Sequence, residues 1–186
     1  MEKSDQQLVA DYLDKGEGTL TEIINRYLKP VYSFAYRLTG NAQDAEDISQ
    51  EAFLKMWKNL KKYKPEESFK TWLFTIARNT AFDLLRKKKS FVFSDLSTED
   101  EDTVFEESLE SPEPSPEEIF SKLENEESLN NMLNQLPHRY KEVVLLHDLN
   151  ELTFDEIGKI LGKPLNTVKS WHRRALLELK KLAAPK

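Results

Sequence analysis

The sequence contains no cysteine among its 186 residues. This absence excludes a disulfide framework, an iron–sulfur cluster, a thiol nucleophile and a zinc site built on thiolates. Long apolar runs are missing too, because the longest aliphatic stretch, Val143 to Leu146, is far shorter than the roughly 20 residues that cross a bilayer. The first residues have neither the basic nor the apolar region of a secretion signal. We therefore expect a soluble, cytoplasmic protein with no direct membrane insertion.

The net charge of −6 hides an uneven distribution of charge along the chain. Charged residues make up 32% of the sequence, above the typical value of about 25%. Residues 51–89 carry 11 basic and 4 acidic side chains, and residues 128–186 carry 10 basic and 6 acidic ones. Between them, residues 90–127 carry 1 basic and 14 acidic side chains. Two basic segments therefore flank one strongly acidic segment.

The acidic segment has the features of a linker. A block of like charges repels itself and favours an unfolded chain. Its proline alternation, Ser111-Pro-Glu-Pro-Ser-Pro116, favours extended backbone and cannot continue a helix. We therefore predict two small domains, residues 1–89 and 125–186, joined by an acidic flexible linker over residues 90–124.

The N-terminal domain is predicted to be helical throughout. Apolar residues recur at helical spacing after Thr19, which forms a capping-box pattern with Glu22. Pro30 is expected to bend or divide this helix. Asn41 and Ser68 are candidate N-caps of a second and a third helix.

One face of the third helix combines aromatic, amide and cationic side chains. At about 100° per residue, Trp72 lies at the border between this face and the core. The face itself holds Thr71, Thr75, Arg78, Asn79, Phe82 and Arg86. Aromatic rings stack on unpaired bases and cations hold phosphates, so the mixture suits single-stranded nucleic acid. The alternative is that Trp72 and Phe82 simply pack against the neighbouring helices.

The C-terminal domain has the pattern of a helix-turn-helix. Thr153 and Glu156 form another capping box, Gly162 supplies a turn, and the last helix begins at about Asn166. Gly158 is expected to be small because two helices cross there. With the N-terminal helices, this pattern predicts an all-α fold.

The last helix is predicted to have a buried face and a polar face. The buried stripe holds Val168, Trp171, His172, Ala175, Leu179 and Leu182. Asn166, Lys169, Ser170, Arg173 and Arg174 point away from it. Such side chains read base edges and phosphates in a major groove, although a solvated basic face is the alternative. We interpret His172 as a packed or boundary residue rather than a ligand. His138 and His147 lack partners at metal-binding spacing, so we predict no metal and no cofactor.

Three segments together resemble the extracytoplasmic-function (ECF, group IV) sigma factors of the sigma-70 family. The first is Asp44-Ala-Glu-Asp-Ile-Ser-Gln-Glu-Ala-Phe53, and the second is Ser68-Phe-Lys-Thr-Trp-Leu-Phe-Thr-Ile-Ala-Arg-Asn-Thr-Ala81. The third is Leu152-Thr-Phe-Asp-Glu-Ile-Gly-Lys-Ile-Leu-Gly-Lys-Pro164 with Asn166-Thr-Val-Lys-Ser170. The resemblance implies that residues 1–89 form a sigma-2 domain and residues 125–186 a sigma-4 helix-turn-helix domain.

The resemblance also implies binding sites on both domains. The melted −10 strand would meet Ser68, Phe69, Lys70, Trp72, Arg78 and Asn79. The −35 duplex would meet Asn166, Thr167, Lys169, Ser170, Arg173 and Arg174. The interface with RNA polymerase would include, at its surface or directly beneath it, five residues: Asp47, Gln50, Glu51, Phe53 and Trp57. Lys169 and Trp171 stand where many relatives carry arginine, and lysine lacks the bidentate fork of arginine, so the −35 sequence does not follow from relatives.

The implied function is to direct core RNA polymerase to promoters and to initiate transcription, without enzymatic activity of the chain itself. The implied partners are promoter DNA, the clamp helices of the beta-prime subunit, the flap of the beta subunit, and an anti-sigma factor of a class that includes membrane-anchored members. The alternative is a helix-turn-helix regulator that acts on duplex DNA without polymerase, typically as a two-fold dimer. A metal-dependent nuclease using Asp44, Glu46, Asp47 and Glu51 is disfavoured, because helical spacing spreads these carboxylates over more than one face.

Overall fold

A computed structural model describes residues 3–16, 18–88 and 126–183, and within these ranges all regular structure is helical. The chain divides into two units, residues 1–88 and 89–186. The predicted acidic linker, residues 90–124, lies outside the described residues. Among the described helices, none combines the length and the apolar character needed to cross a membrane. The expectation of an all-α fold is confirmed.

Over residues 3–16 and 18–88, the first unit consists of four α-helices and one short 3₁₀ turn. They are α1 (Asp5–Lys15), α2 (Thr19–Thr39), α3 (Ala42–Asn59), the 3₁₀ turn (Leu60–Lys62) and α4 (Phe69–Lys87). The core lies where α2, α3 and α4 meet. Phe34 of α2 packs edge-on against Phe74 of α4 with ring centroids 5.5 Å apart, and Ile48 and Met56 of α3 are fully buried.

Local capping explains where most of these helices begin. The side chain of Asn41 accepts a hydrogen bond from the backbone N–H of Asp44 at 2.9 Å, and Ser68 caps α4 in the same way. The predicted capping box at Thr19 is wrong. Gly18 is the N-cap of α2 and has no side-chain bond, while the Thr19 hydroxyl oxygen is buried without a hydrogen-bond partner.

Two further observations concern α1 and α2, where the sequence predicted no first helix and a bend or a division at Pro30. Helix α1 was not predicted; Ser4 and Gln7 form the capping box that opens it. Helix α2 passes through Pro30 without dividing. An interior proline costs about 3 kcal/mol, which is offset here because Tyr27, Val31 and Phe34 are all buried on either side of it.

Over its described residues, 126–183, the second unit is a bundle of four helices. They are α5 (Glu126–Leu133), α6 (His138–His147), α7 (Phe154–Leu161) and α8 (Leu165–Leu182). Residues 140–146 of α6 are buried on all sides, so α6 forms the centre of the unit. Thr153 caps α7 in the predicted capping box. Gly162 ends α7 in the left-handed region, at φ 63°, which glycine adopts without steric cost.

Gly158 is required by the turn rather than by a helix crossing. A Cβ atom at this position would lie 2.9 Å from the backbone carbonyl oxygen of Lys163. The same turn is closed by a 3.0 Å hydrogen bond from the Lys163 N–H to the Gly158 carbonyl oxygen. The sequence identified the right residue for a different reason, because spacing alone does not show how the turn folds back over α7.

We predict that Gly158→Ala destabilises the second unit. Overpacking against backbone costs about 1–3 kcal/mol, which exceeds the gain of about 1 kcal/mol in helix propensity. Amide hydrogen exchange of α6 to α8 in the full chain should show faster exchange. Lys159→Ala, at the exposed neighbouring position, serves as the control. Equal protection in the two variants would contradict the close contact.

Candidate nucleic-acid and polymerase interfaces

Four aromatic rings surround the start of α4. Phe69 is 1% exposed, and its ring centroid lies 5.6 Å from Tyr27, 5.4 Å from Tyr63 and 5.7 Å from Trp72. Tyr63 also lies 5.3 Å from Trp72. Trp72 is half-buried and covers the outer side of the cluster. Phe69 therefore fixes the position of Trp72 from below and has no face open to solvent.

Helix α1 holds this aromatic cluster from one side. The carboxylate of Asp5 accepts hydrogen bonds from the guanidinium of Arg26 and the hydroxyl of Tyr27. Burial, followed by the hydrogen bond to Asp5, raises the pKa of the Tyr27 hydroxyl above its usual range. Tyr27 therefore remains a protonated donor. Burial also raises the pKa of Tyr63, whose hydroxyl donates to the carbonyl oxygen of Glu67 at 2.7 Å.

The remaining candidate residues of α4 lie on or near its outer face. Asn79 is exposed, and Lys70 and Arg78 are half-buried. The guanidinium carbon of Arg78 lies 4.3 Å from the ring centroid of Phe82, so these two side chains form one cation–π pair. The prediction that Thr71 belongs to this face is wrong, because Thr71 is 7% exposed.

The outer face of α3 carries the candidate polymerase-binding residues. Asp47, Gln50 and Glu51 are exposed, and their polar contacts are with residues of the same helix. Trp57 is 50% exposed, whereas Phe53 is 9% exposed and lies beneath the face. Exposed pairs one helical turn apart contribute only about 0.3–0.5 kcal/mol, so a partner can replace them at low cost.

Two apolar side chains make the outer face of α3 suitable for protein binding. Leu54 is 40% exposed beside Trp57 on the same helix and was not among the predicted residues. The indole N–H of Trp57 donates to the hydroxyl oxygen of Tyr12 in α1 at 2.8 Å. Leu54 lies seven residues after Asp47 and three residues before Trp57, a spacing that places all three on one face of a helix. The signal for the exposure of Leu54 was therefore present in the sequence.

The carboxylates considered for a nuclease do not form a metal site. Asp44 is 6% exposed and pairs with the ammonium of Lys88 at the end of α4. Glu46, Asp47 and Glu51 are exposed. In the described ranges, the one group of side chains placed to hold a metal ion lies in the second unit.

Helix α8 presents polar side chains along its first half. Asn166 and Lys169 are exposed, and the other predicted residues are half-buried: Thr167, Ser170, Arg173 and Arg174. Val168, Ala175 and Leu179 are buried on the opposite face. The six candidate residues therefore lie within the first ten residues of α8 and leave its packed face intact.

Two residues of the predicted buried stripe are not buried. Trp171 is half-exposed, and two cations lie over its ring, the Lys163 ammonium 5.7 Å and the Arg139 guanidinium 6.0 Å from the centroid. Leu182, at the end of α8, is 39% exposed. Leu176 is buried instead.

His172 packs at the centre of the second unit, as the sequence suggested. Its Nε2 lies 2.9 Å from Oδ2 of Asp148, and its ring centroid lies 4.8 Å from that of His147. The expectation that His147 has no partner is wrong. The two histidines are 25 positions apart in the sequence, so only the packing of α6 against α8 brings them together.

Comparison with known proteins covers both units. The sigma-70 region 2 family matches residues 23–91, and the sigma-70 region 4 family matches residues 126–179. The ECF RNA polymerase sigma factor SigW of Bacillus subtilis is 32% identical over 89% of this chain and 89% of that protein. SigE of Mycolicibacterium smegmatis is 34% identical over 86% of this chain and 59% of that protein.

Solved structures give the same result at the level of the fold. The sigma factor RpoE of Bartonella quintana, solved with the anti-sigma factor NepR, has a TM-score of 0.66 and 26% identity, covering 87% of this chain and 94% of that one. CnrH, solved with the cytosolic domain of CnrY, has a TM-score of 0.69 and 20% identity, covering 97% of each chain.

These matches extend through both units, whereas a regulator built on the helix-turn-helix alone would require only the second. Sigma factors are initiation factors rather than enzymes. The chain belongs to the extracytoplasmic-function RNA polymerase sigma factors of the sigma-70 family.

Proposed function

We propose that the two units divide promoter recognition, with residues 1–89 capturing the melted −10 strand and residues 125–186 reading the −35 duplex. The observation that supports this division is the location of the polar and aromatic candidates. One set clusters at α4, the other lies along the first half of α8, and both helices bury their opposite faces.

At the −10 element, the chain has to stabilise an opened duplex. Opening costs about 1.4 kcal/mol per base-pair step in lost stacking, and a protein can offset this by holding a flipped base. In our proposal Trp72 and the Arg78–Phe82 pair line the strand path, Lys70 attracts phosphates, and Asn79 bonds to a base edge. Phe69 acts by supporting Trp72.

At the −35 element, the first half of α8 would enter the major groove. Arginine binds guanine in a bidentate manner, asparagine suits adenine, and serine accepts either base. Lys169 supplies a point charge for a phosphate or a base. Two linked contacts on one chain also strengthen each other, because binding at one element raises the local concentration of the second domain at the other.

The proposed protein partners follow from the exposed faces. The outer face of α3, including Leu54 and Trp57, would dock on the clamp helices of the beta-prime subunit, and the second unit would contact the beta flap. An anti-sigma factor, of a class that includes membrane-anchored members, is the proposed inhibitor. The relative RpoE was solved with the anti-sigma factor NepR. We propose a cytoplasmic location, where polymerase and DNA are found.

Reconstitution tests this proposal as a whole. The purified chain is added to sigma-free core polymerase, and transcription start sites are mapped on genomic DNA. We expect the start sites to share a promoter with two blocks of conserved sequence. Random initiation, or initiation that requires only one block, would contradict the division of roles between the two units.

We predict that Asn79→Ala weakens promoter opening by about 2- to 12-fold, the equivalent of one hydrogen bond of about 0.5–1.5 kcal/mol. Permanganate reactivity of unpaired thymines in the reconstituted complex measures the opening. Asn131→Ala removes the same exposed amide from α5 and should leave opening unchanged. Equal promoter opening by both variants would contradict the proposed contact between Asn79 and the strand.

We predict that Lys169→Ala weakens binding to −35 duplex and reduces the salt dependence of the affinity by about one counterion. Titrations of the full chain at several salt concentrations give the slope. Lys180→Ala is the control, because Lys180 is exposed on the same helix about 16 Å further along its axis. The proposal is contradicted if the two variants have the same slope.

We predict that Trp57→Ala weakens binding to core polymerase by about 10- to 100-fold, as expected for a partly exposed aromatic that becomes buried in an interface. Competition with labelled chain measures the affinity. Tyr12→Phe removes only the hydroxyl that accepts from the indole and should bind almost normally. If Trp57→Ala binds normally, the outer face of α3 is not the polymerase contact.

A further inference from the structure

Three side chains that can ligate a metal ion meet where α6 and α8 come together. They are His147 and Asp148 at the end of α6 and His172 in the middle of α8. One donor atom from each lies within 4.8 Å of the others. None of the interfaces proposed above uses these three side chains.

The hydrogen bond of His147 fixes which of its nitrogens is protonated. Nδ1 lies 2.7 Å from the backbone carbonyl oxygen of Leu152. A carbonyl oxygen can only accept, so Nδ1 carries the proton and Nε2 keeps a free lone pair. In the described part of the chain, Nε2 makes no hydrogen bond. Histidines that bind metals typically donate their second nitrogen to a carbonyl or carboxylate in this way.

Asp148 and His172 supply an oxygen and a nitrogen from opposite helices. The two carboxylate oxygens lie 2.9 and 3.1 Å from Nε2 of His172. The side chains of His172 and Asp148 are only 11% and 6% exposed. The ring N–H of His172 compensates this buried carboxylate, and a metal ion bound by both groups would take the place of that proton.

An apolar ring shields the group of three. The ring of Phe154 stacks on His147 at 4.1 Å and meets the ring of His172 at 5.2 Å. A hydrophobic shell of this kind limits water access and strengthens metal–ligand bonds. Two imidazoles and one carboxylate form the donor set of many zinc sites, which complete their tetrahedral coordination with water.

We propose that His147, Asp148 and His172 bind a divalent transition-metal ion, Zn²⁺ in the first place. Tetrahedral ligands of Zn²⁺ lie about 3.3 Å apart, as follows from metal–nitrogen distances of about 2.0–2.1 Å. Donor atoms up to 4.8 Å apart therefore have to approach by up to about 1.5 Å. This movement would draw α8 toward the end of α6.

The position of the site connects it to DNA recognition. Ser170 and Arg173, two of the proposed −35 contacts, flank His172 on α8. A bound ion would hold α8 at a fixed position against the end of α6 and thereby orient these contacts. This consequence, unlike metal binding itself, rests on the proposed −35 function.

Titration of the metal-free full chain with ZnCl₂ tests the site. We expect one equivalent to bind and the unfolding temperature of the second unit to rise by about 10 °C at 100-fold excess over Kd. CoCl₂ should give the visible absorption of a tetrahedral complex. His147→Gln and Asp148→Asn should each weaken binding at least about 100-fold. The matched controls, His138→Gln and Asp155→Asn, lie outside the group and should bind normally.

The outcomes separate the site from its consequence. Absence of saturable Zn²⁺ binding below about 100 µM, or equal binding by the site and control variants, overturns the metal site. Normal binding without any change in affinity for −35 duplex overturns the link to DNA recognition. Loss of duplex binding by Lys169→Ala is measured independently, so failure of the −35 proposal is distinguishable from failure of the metal site.

Discussion

Helix α4 must bury Leu73, Phe74 and Ala77 while it leaves Asn79 exposed, and the same division between a packed face and a free face governs α3 and α8. A unit of fewer than 100 residues has little apolar surface to bury, so each helix that is proposed to bind a partner also has to contribute to the core. The binding side chains are therefore held on rigid elements, which lowers the entropy lost when a partner binds.

The aromatic cluster of the first unit shows how a binding residue depends on residues far from it in sequence. Trp72 is positioned by Phe69, and Phe69 packs on Tyr27. The hydroxyl of Tyr27 is in turn hydrogen-bonded to Asp5 of α1. Helices α1, α2 and α4 thus meet beneath one indole. In the proposed function, promoter opening would therefore depend on α1, a helix that offers no proposed DNA contact of its own.

Local signals in the sequence predicted much of this arrangement, and non-local packing determined the rest. Asn41, Ser68 and Thr153 were recognised as caps because capping depends on residues three positions apart. The outward residues of α8 followed from helical periodicity. The burial of Thr71 and the meeting of His147 with His172 depend instead on how helices pack, which periodicity does not encode. The specific functional roles came from resemblance to a family rather than from residue chemistry alone.

The sequence contains three tryptophans, and the structure distributes them one to each candidate interface. Trp57 is exposed on α3, Trp72 covers the aromatic cluster, and Trp171, on α8, lies near two cations. Indole emission responds to polarity and to nearby charge, so the protein carries a natural optical reporter at each surface. Variants that retain a single indole would let polymerase docking, strand capture and groove binding be timed separately in one assembly reaction.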